Sequence, residues 1–299
     1  MNSCLKYFSA SLLALATQAA FAQVPDLGAA SSFALLSAAP DGGGAVTCTD
    51  STIEGDVGSS GDRASVVRTR CKISGAIIAP VSAGVLAAFN SAYAALAPKP
   101  EDDCPVITGT LAGETLTPGV YCVSDTAKTG VLTLDGSANG IWTFKVVGTE
   151  DRALTGTNFS VVMLDGGPVP ACNVTWWVPE AATMTNSDFK GTILAGAAIT
   201  VTGTAGTPPT PFEGRALAKA AVTLTDVAFI GCEGSSRGGK SQSMCNQGVG
   251  NGTENCDPGN SNQDDFGSNP FTPPPPGSTR TNDELGGTPG DPGKQDDNQ

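Results

Sequence analysis

The chain has 299 residues, with 29 Asp+Glu against 16 Lys+Arg and no histidine, for a formal net charge of −13. Such acidity excludes the basic footprint that nucleic acid requires and any attraction to anionic membrane surfaces. The lack of histidine excludes Ser-His-Asp and Cys-His nucleophile systems and His-ligated metal. With 38 Gly, 21 Pro and charged residues at only 15%, the chain reads as short strands and turns around a sizeable core.

Residues 1–22 read as a secretory signal peptide. Lys6 supplies the positive start, residues 8–17 a short apolar run, and Ala20-Phe21-Ala22 a small-x-small cleavage site before Gln23. The run is too short to span a bilayer, and no later stretch approaches that length, so no membrane insertion is expected. The expected address is secreted or extracellular, with the periplasm or cell surface included.

Loss of the signal removes Cys4 and leaves eight cysteines: Cys48, Cys71, Cys104, Cys122, Cys172, Cys232, Cys245 and Cys256. An even count in an exported chain argues for disulfides. Eight cysteines allow about 105 pairings; the pairing expected here is nearest neighbours in chain order, 48–71, 104–122, 172–232 and 245–256. With no CxxC pair and no histidine, no metal and no cofactor is expected.

The body, residues 23–232, is rich in Ala, Val, Ile, Leu and Thr. Residues 233–299 contain PFTPPPPG, GGTPGDPG and KQDDNQ and carry too little apolar surface to offset ordering entropy. They are expected to form a disordered tail with one disulfide loop at 245–256. Within the body, Ala83 to Ala97 reads as a helix ended by Pro98. Val85, Leu86, Phe89, Tyr93 and Leu96 form its apolar stripe, which suits packing along a larger β structure.

Five segments follow one pattern, [AV]-x-T-x-[TD]: Val131–Asp135, Ala153–Thr157, Ala181–Thr185, Ala198–Thr202 and Ala221–Thr225. A second element, F-x-G-x-x-L-A, recurs at Phe189–Ala195 and Phe212–Ala218. Repeats of this period imply a solenoid. Side chains alternate along a strand, and the residues between the threonines are mostly apolar, so the threonines face outward. Stacked turns give one row of Thr133, Thr155, Thr183, Thr200 and Thr223, and another of Asp135, Thr157, Thr185, Thr202 and Thr225. The rows stand about 6.6–6.8 Å apart and the strands about 4.7–4.9 Å apart. Threonine suits any exposed strand, but a surface of nine Thr and one Asp lacks the usual solubilising charges and suits ordered water or a repetitive solid.

Several further motifs stand in one order: Leu27–Leu36 (LGAASSFALL), Ile53–Gly58 (IEGDVG), Leu116–Tyr121 (LTPGVY), Gly140–Phe144 (GIWTF), Cys172–Trp177 (CNVTWW), Phe189–Ala195 and Gly214–Ala218. Over roughly residues 26–232 the chain resembles the DUF3494 ice-binding protein family. The resemblance implies a mainly β fold, a discontinuous right-handed parallel β-solenoid of triangular section with one long α-helix packed alongside. It also implies that the chain's start and end supply neighbouring coils, and that a flat Thr-rich face adsorbs to ice. Thr155-Gly-Thr-Asn158 fits the T-[AG]-x-[TN] motif of such faces, and Thr108-Gly-Thr-Leu111 fits its first half. Residues 48–71 are more polar than an ice-facing surface and read as a capping coil.

The expected partner is therefore the surface of an ice crystal or ordered water, met by a monomer without enzymatic chemistry. The alternative on the same scaffold is an adhesive or structural module that binds a cell-surface or matrix polymer such as a polysaccharide. A polysaccharide-acting enzyme would need paired carboxylates in a cleft, for example beside Arg215; the spacing of the body's carboxylates suggests no such pair.

Overall fold

Short extended pieces separated by tight corners dominate the chain. The computed structural model describes residues 23–99, 104–148, 152–206 and 209–232. The expected signal peptide, the tail and the 245–256 loop lie outside these residues. The first strands are β1 (Phe33–Ser37), β2 (Val46–Thr49), β3 (Thr52–Glu54), β4 (Asp56–Ser59), β5 (Val66–Thr69), β6 (Lys72–Ile73) and β7 (Ile77–Ile78). Helix α1 (Ala83–Leu96) follows. Next come β8 (Val106–Ile107), β9 (Thr115–Leu116), β10 (Gly119–Val123), β11 (Ala127–Leu134), β12 (Trp142–Val146) and β13 (Leu154–Met163). The last are β14 (Val174–Val178), β15 (Ala182–Thr185), β16 (Phe189–Ala195), β17 (Ile199–Thr202), β18 (Thr210–Ala218), β19 (Val222–Thr225) and β20 (Val227–Gly231).

The paired strands are parallel throughout the two sheets, as a solenoid requires. One sheet runs β5-β2-β19-β17-β15-β13-β11-β9. The other runs β6-β3-β20-β18-β16-β14-β12-β10-β8, with β1 held between β18 and β4. This second sheet bends along its length. The first part of β18, Thr210–Gly214, pairs with β20, while Ala216–Ala218 pair with β1. Gly214 marks the bend at φ 138°, and a Cβ there would stand 2.0 Å from the Gly191 carbonyl oxygen of the next coil, so only glycine fits. Each turn of the chain thus has three sides, consistent with a triangular section.

The stacking order is discontinuous. Strands β19 and β20 begin a level whose third side is β1, from the other end of the chain. Strands β2, β3 and β4 make the next level and β5, β6 and β7 the last. Inside, aromatic rings stack level on level: Phe229 on Phe212 at 4.5 Å between centroids, Phe212 on Phe189 at 5.0 Å, and Phe144 on Trp176 at 4.1 Å. The phenylalanine of the F-x-G-x-x-L-A repeat builds this core. Its leucine points the other way: Leu194 and Leu217, with Leu36 from β1, meet Val85, Phe89 and Ala92 of α1.

Helix α1 matches its expected span to within one residue. The Ser82 side chain caps it by accepting from the Val85 N–H, at 3.4 Å. Trp177 Nε1 donates to the Tyr93 carbonyl oxygen at 2.9 Å and ties the helix to β14. The three disulfides expected within the described residues are present: Cys48–Cys71, Cys104–Cys122 and Cys172–Cys232.

Candidate ice-binding face

The threonines lie on one side of the solenoid, above an apolar floor. Ala182, Met184, Ile199, Val201, Val222 and Leu224 point inward and are buried; the threonines between them point out. Pairing fixes the rows residue by residue. Thr155 faces Thr183, Thr183 faces Thr200, and Thr200 faces Thr223. In the second row Thr157, Thr185, Thr202 and Thr225 follow in the same register.

The ladder then continues where the sequence reading did not place it. Strand β2 pairs with β19, setting Thr47 against Thr223 and Thr49 against Thr225. Beyond it, β5 sets Val67 against Thr47 and Thr69 against Thr49. The segment 48–71 is therefore not only a cap: its first residues belong to the face, and β5 and β6 form the sheet edges. Ala45-Val-Thr-Cys-Thr49 fits the [AV]-x-T-x-[TD] pattern in full, which was the signal available for it.

Thr133 is a correction. It pairs with Val162 on one side and Thr115 on the other, not with Thr155. Strand β11 spans two sides of the solenoid. Its Ala127 and Lys128 lie opposite Thr155 and Gly156, and the register shifts before Gly130, which takes φ 72°. Residues Val131–Leu134 are thus carried around the corner, and Asp135, with its N–H donating to the Leu116 carbonyl oxygen, leaves the ladder with them. Five levels remain with threonine in both rows, from β13 through β15, β17 and β19 to β2.

The corners after the second row repeat as well. Asn158, Asn186, Asp226, Asp50 and Arg70 each take a φ between 47° and 56°. Asn and Asp tolerate this left-handed region better than other non-glycine residues, so the short polar side chains at four of these five corners suit it. Thr204 Oγ1 donates to Asn186 Oδ1 at 2.8 Å, bracing one corner. Charge is confined to the borders. On one border Arg70 pairs with Asp50, and the hydrogen bonds from Arg70 hold the Asp50 carboxyl below its ordinary range. On the other, Arg152 stands 3.8 Å from Glu180. The ten threonines between these borders present only methyls and hydroxyls.

Arg215 and the neighbouring Glu213 both have partners within the fold. Arg215 is buried and donates from Nε to the Ser31 carbonyl oxygen at 3.1 Å. Glu213 accepts from Lys190, whose Nζ also stands 2.9 Å from Asp188.

The Ice-binding-like family model matches residues 41–229. The chain belongs to the ice-binding-like family. The ice-binding-like chain is 35% identical over 198 residues to an ice-binding protein of Nostoc sp. (strain HG1), covering 62% of this chain and 67% of that protein. It is 30% identical over 194 residues to one of Flavobacterium frigoris (strain PS1), covering 58% and 66%. The chain thus spans about two thirds of the length of these curated relatives. Among solved structures, it resembles the ice-binding protein of the Antarctic ascomycete Antarctomyces psychrotrophicus, with a TM-score of 0.55, 29% identity, and 70% and 98% of the two chains covered. It also resembles an ice-binding protein from an Antarctic biological consortium, with a TM-score of 0.57, 29% identity, and 74% and 96% covered.

Proposed function

We propose that this chain is an exported, non-enzymatic ice-binding protein that adsorbs to ice through the paired threonine rows. One observation carries the reading: ten threonines from five paired strands stand in register in two uncharged rows. The family and its ice-binding relatives support it. Outward methyls hold water in cages and hydroxyls anchor those cages, so the ordered layer on the face merges with the growing crystal. Each threonine contributes little. The sum is useful because the β scaffold sets the spacing during folding, leaving little ordering cost at contact. Adsorbed chains would depress freezing and slow recrystallisation. One chain carries the whole array, so a monomer suffices. The three disulfides support an oxidising, extracytoplasmic compartment, and residues 1–22 are proposed as the exporting signal.

The test is to grow a single ice crystal in a solution of the full oxidised chain and measure the gap between melting and growth temperatures. A shaped crystal with a measurable gap is expected, lost in Thr200→Tyr and in Thr183→Lys. A round crystal that grows freely at high protein concentration overturns the reading.

A further inference from the structure

The last complete rung of the ladder is supplied by the N-terminal part of the chain and held differently from the others. Strands β15, β17 and β19 each have a full four-residue ladder strand on both sides. Strand β2 is likewise paired over four residues on both sides, with β19 and with β5, but β5 is the edge of its sheet and its residues Val67, Arg68 and Thr69 are exposed. Edge strands with one neighbour open most easily, so β5 would open first and leave β2, with its Thr47 and Thr49 rung, as the new edge.

Two cross-links join these two levels at that place. Cys48 stands between Thr47 and Thr49, points inward with 1% of its surface exposed, and is bonded to Cys71 of the next coil. On the outside, at the corner following Thr49, the Asp50 carboxylate accepts two hydrogen bonds from the Arg70 guanidinium of the same next coil. The backbone closes the link, with the Asp50 N–H donating to the Thr69 carbonyl oxygen at 2.9 Å. The other two disulfides stand elsewhere: Cys122 lies on β10, in the helix-side sheet, and Cys172–Cys232 joins the segment before β14 to the residue after β20.

We propose that Thr47 and Thr49 are ice-contacting residues and that the Cys48–Cys71 disulfide and the Asp50–Arg70 pair are positioning devices for their rung. The proposal rests on the ice-binding reading of the face. Reduction by an external dithiol would break the Cys48–Cys71 bond, leaving two thiols and the oxidised dithiol, and would shorten the effective array.

The experiment uses the full chain in five forms: unmodified, Thr200→Tyr, Thr47→Tyr, Cys48→Ala with Cys71→Ala, and that pair combined with Thr47→Tyr. The gap between melting and growth temperatures is read for each, beside its unfolding temperature. Thr47→Tyr is expected to lose part of the gap with no change in unfolding temperature. The disulfide-free form is expected to lose a similar part far below its own unfolding temperature. The combined form is expected to lose no more than Thr47→Tyr alone, because a rung already blocked gains nothing from being held. Losses that add across the cycle overturn the positioning role. A full gap in Thr47→Tyr beside a lost gap in Thr200→Tyr overturns the N-terminal rung and leaves the ice-binding reading intact. A full gap in Thr200→Tyr overturns that reading itself. Where the disulfide-free form does not fold, Arg70→Ala takes its place in the same cycle.

Discussion

At the scale of the residue, Lys128 is a cation buried in the wall of the solenoid. It is fully buried at the inward position opposite Gly156, with its ammonium donating to the carbonyl oxygens of Gly109, at 3.0 Å, and Asp125. Burial pushes its pKa down from 10.5 to about 8, against a smaller opposing effect of Asp125. The folded chain therefore releases this proton before the unfolded chain does. Between about pH 8 and pH 10.5 the unfolded state binds more protons, so this group adds stability as pH rises. Chemical denaturation of the unmodified chain and Lys128→Met across that window should show their difference in unfolding free energy moving in favour of the unmodified chain. A constant difference would mean that the amine titrates normally. The threonines behave differently. Thr183→Lys and Thr200→Tyr change outward positions and should alter unfolding free energy by only about 0.5 kcal/mol, while removing ice adsorption.

At the scale of the element, the helix and the ladder are energetically separable. Phe89 is fully buried between α1 and the sheet carrying Leu194 and Leu217. Phe89→Ala should cost about 3–5 kcal/mol, read by denaturant unfolding, yet leave the melting–growth gap unchanged at temperatures where the chain stays folded. Loss of the gap in a folded variant would couple the helix to the face. The elements also show what the sequence alone made legible. Alternation exposed the ladder because Ala182, Met184, Ile199, Val201, Val222 and Leu224 mark the inward positions without ambiguity. The helix was legible from its spacing and from Pro98. Thr133 was misplaced because pattern matching is blind to corners: the bulge before Gly130 shifts the frame of β11 by part of a side. Thr47 and Thr49 were passed over for a different reason. Charged neighbours such as Asp50 and Arg70 made the segment look like an edge, and only three-dimensional pairing shows them at the border of the face.

At the scale of the whole molecule, a net charge of −13 coexists with an uncharged array. Adsorption through such an array should be insensitive to ionic strength, because salt screens charges and there are none in the rows to screen. Ice-affinity partition at low and at moderate salt checks this: equal partition is expected, whereas a marked fall with salt would point to the charged borders as the contact. Refolding should be slow. The pairing of β1 with β18 and of β2 with β19 joins residues nearly the whole folded length apart, and such distant pairings delay the transition state. Stopped-flow refolding of the disulfide-intact chain should show phases in the range of milliseconds to seconds or longer.

The level shared by β19, β20 and β1 gives this architecture a built-in test of completeness. Its third side is synthesised first and its other two last, so a chain truncated before Val222 keeps β18 as a partner for β1 but has no β19 to seat β2 upon. Such a fragment would leave β2 without its ladder partner and would never join the two halves of the ladder into one surface. The seam is in effect a latch that only a polypeptide reaching through β19 and β20 can fasten, and the threonine ladder becomes continuous at the moment it closes.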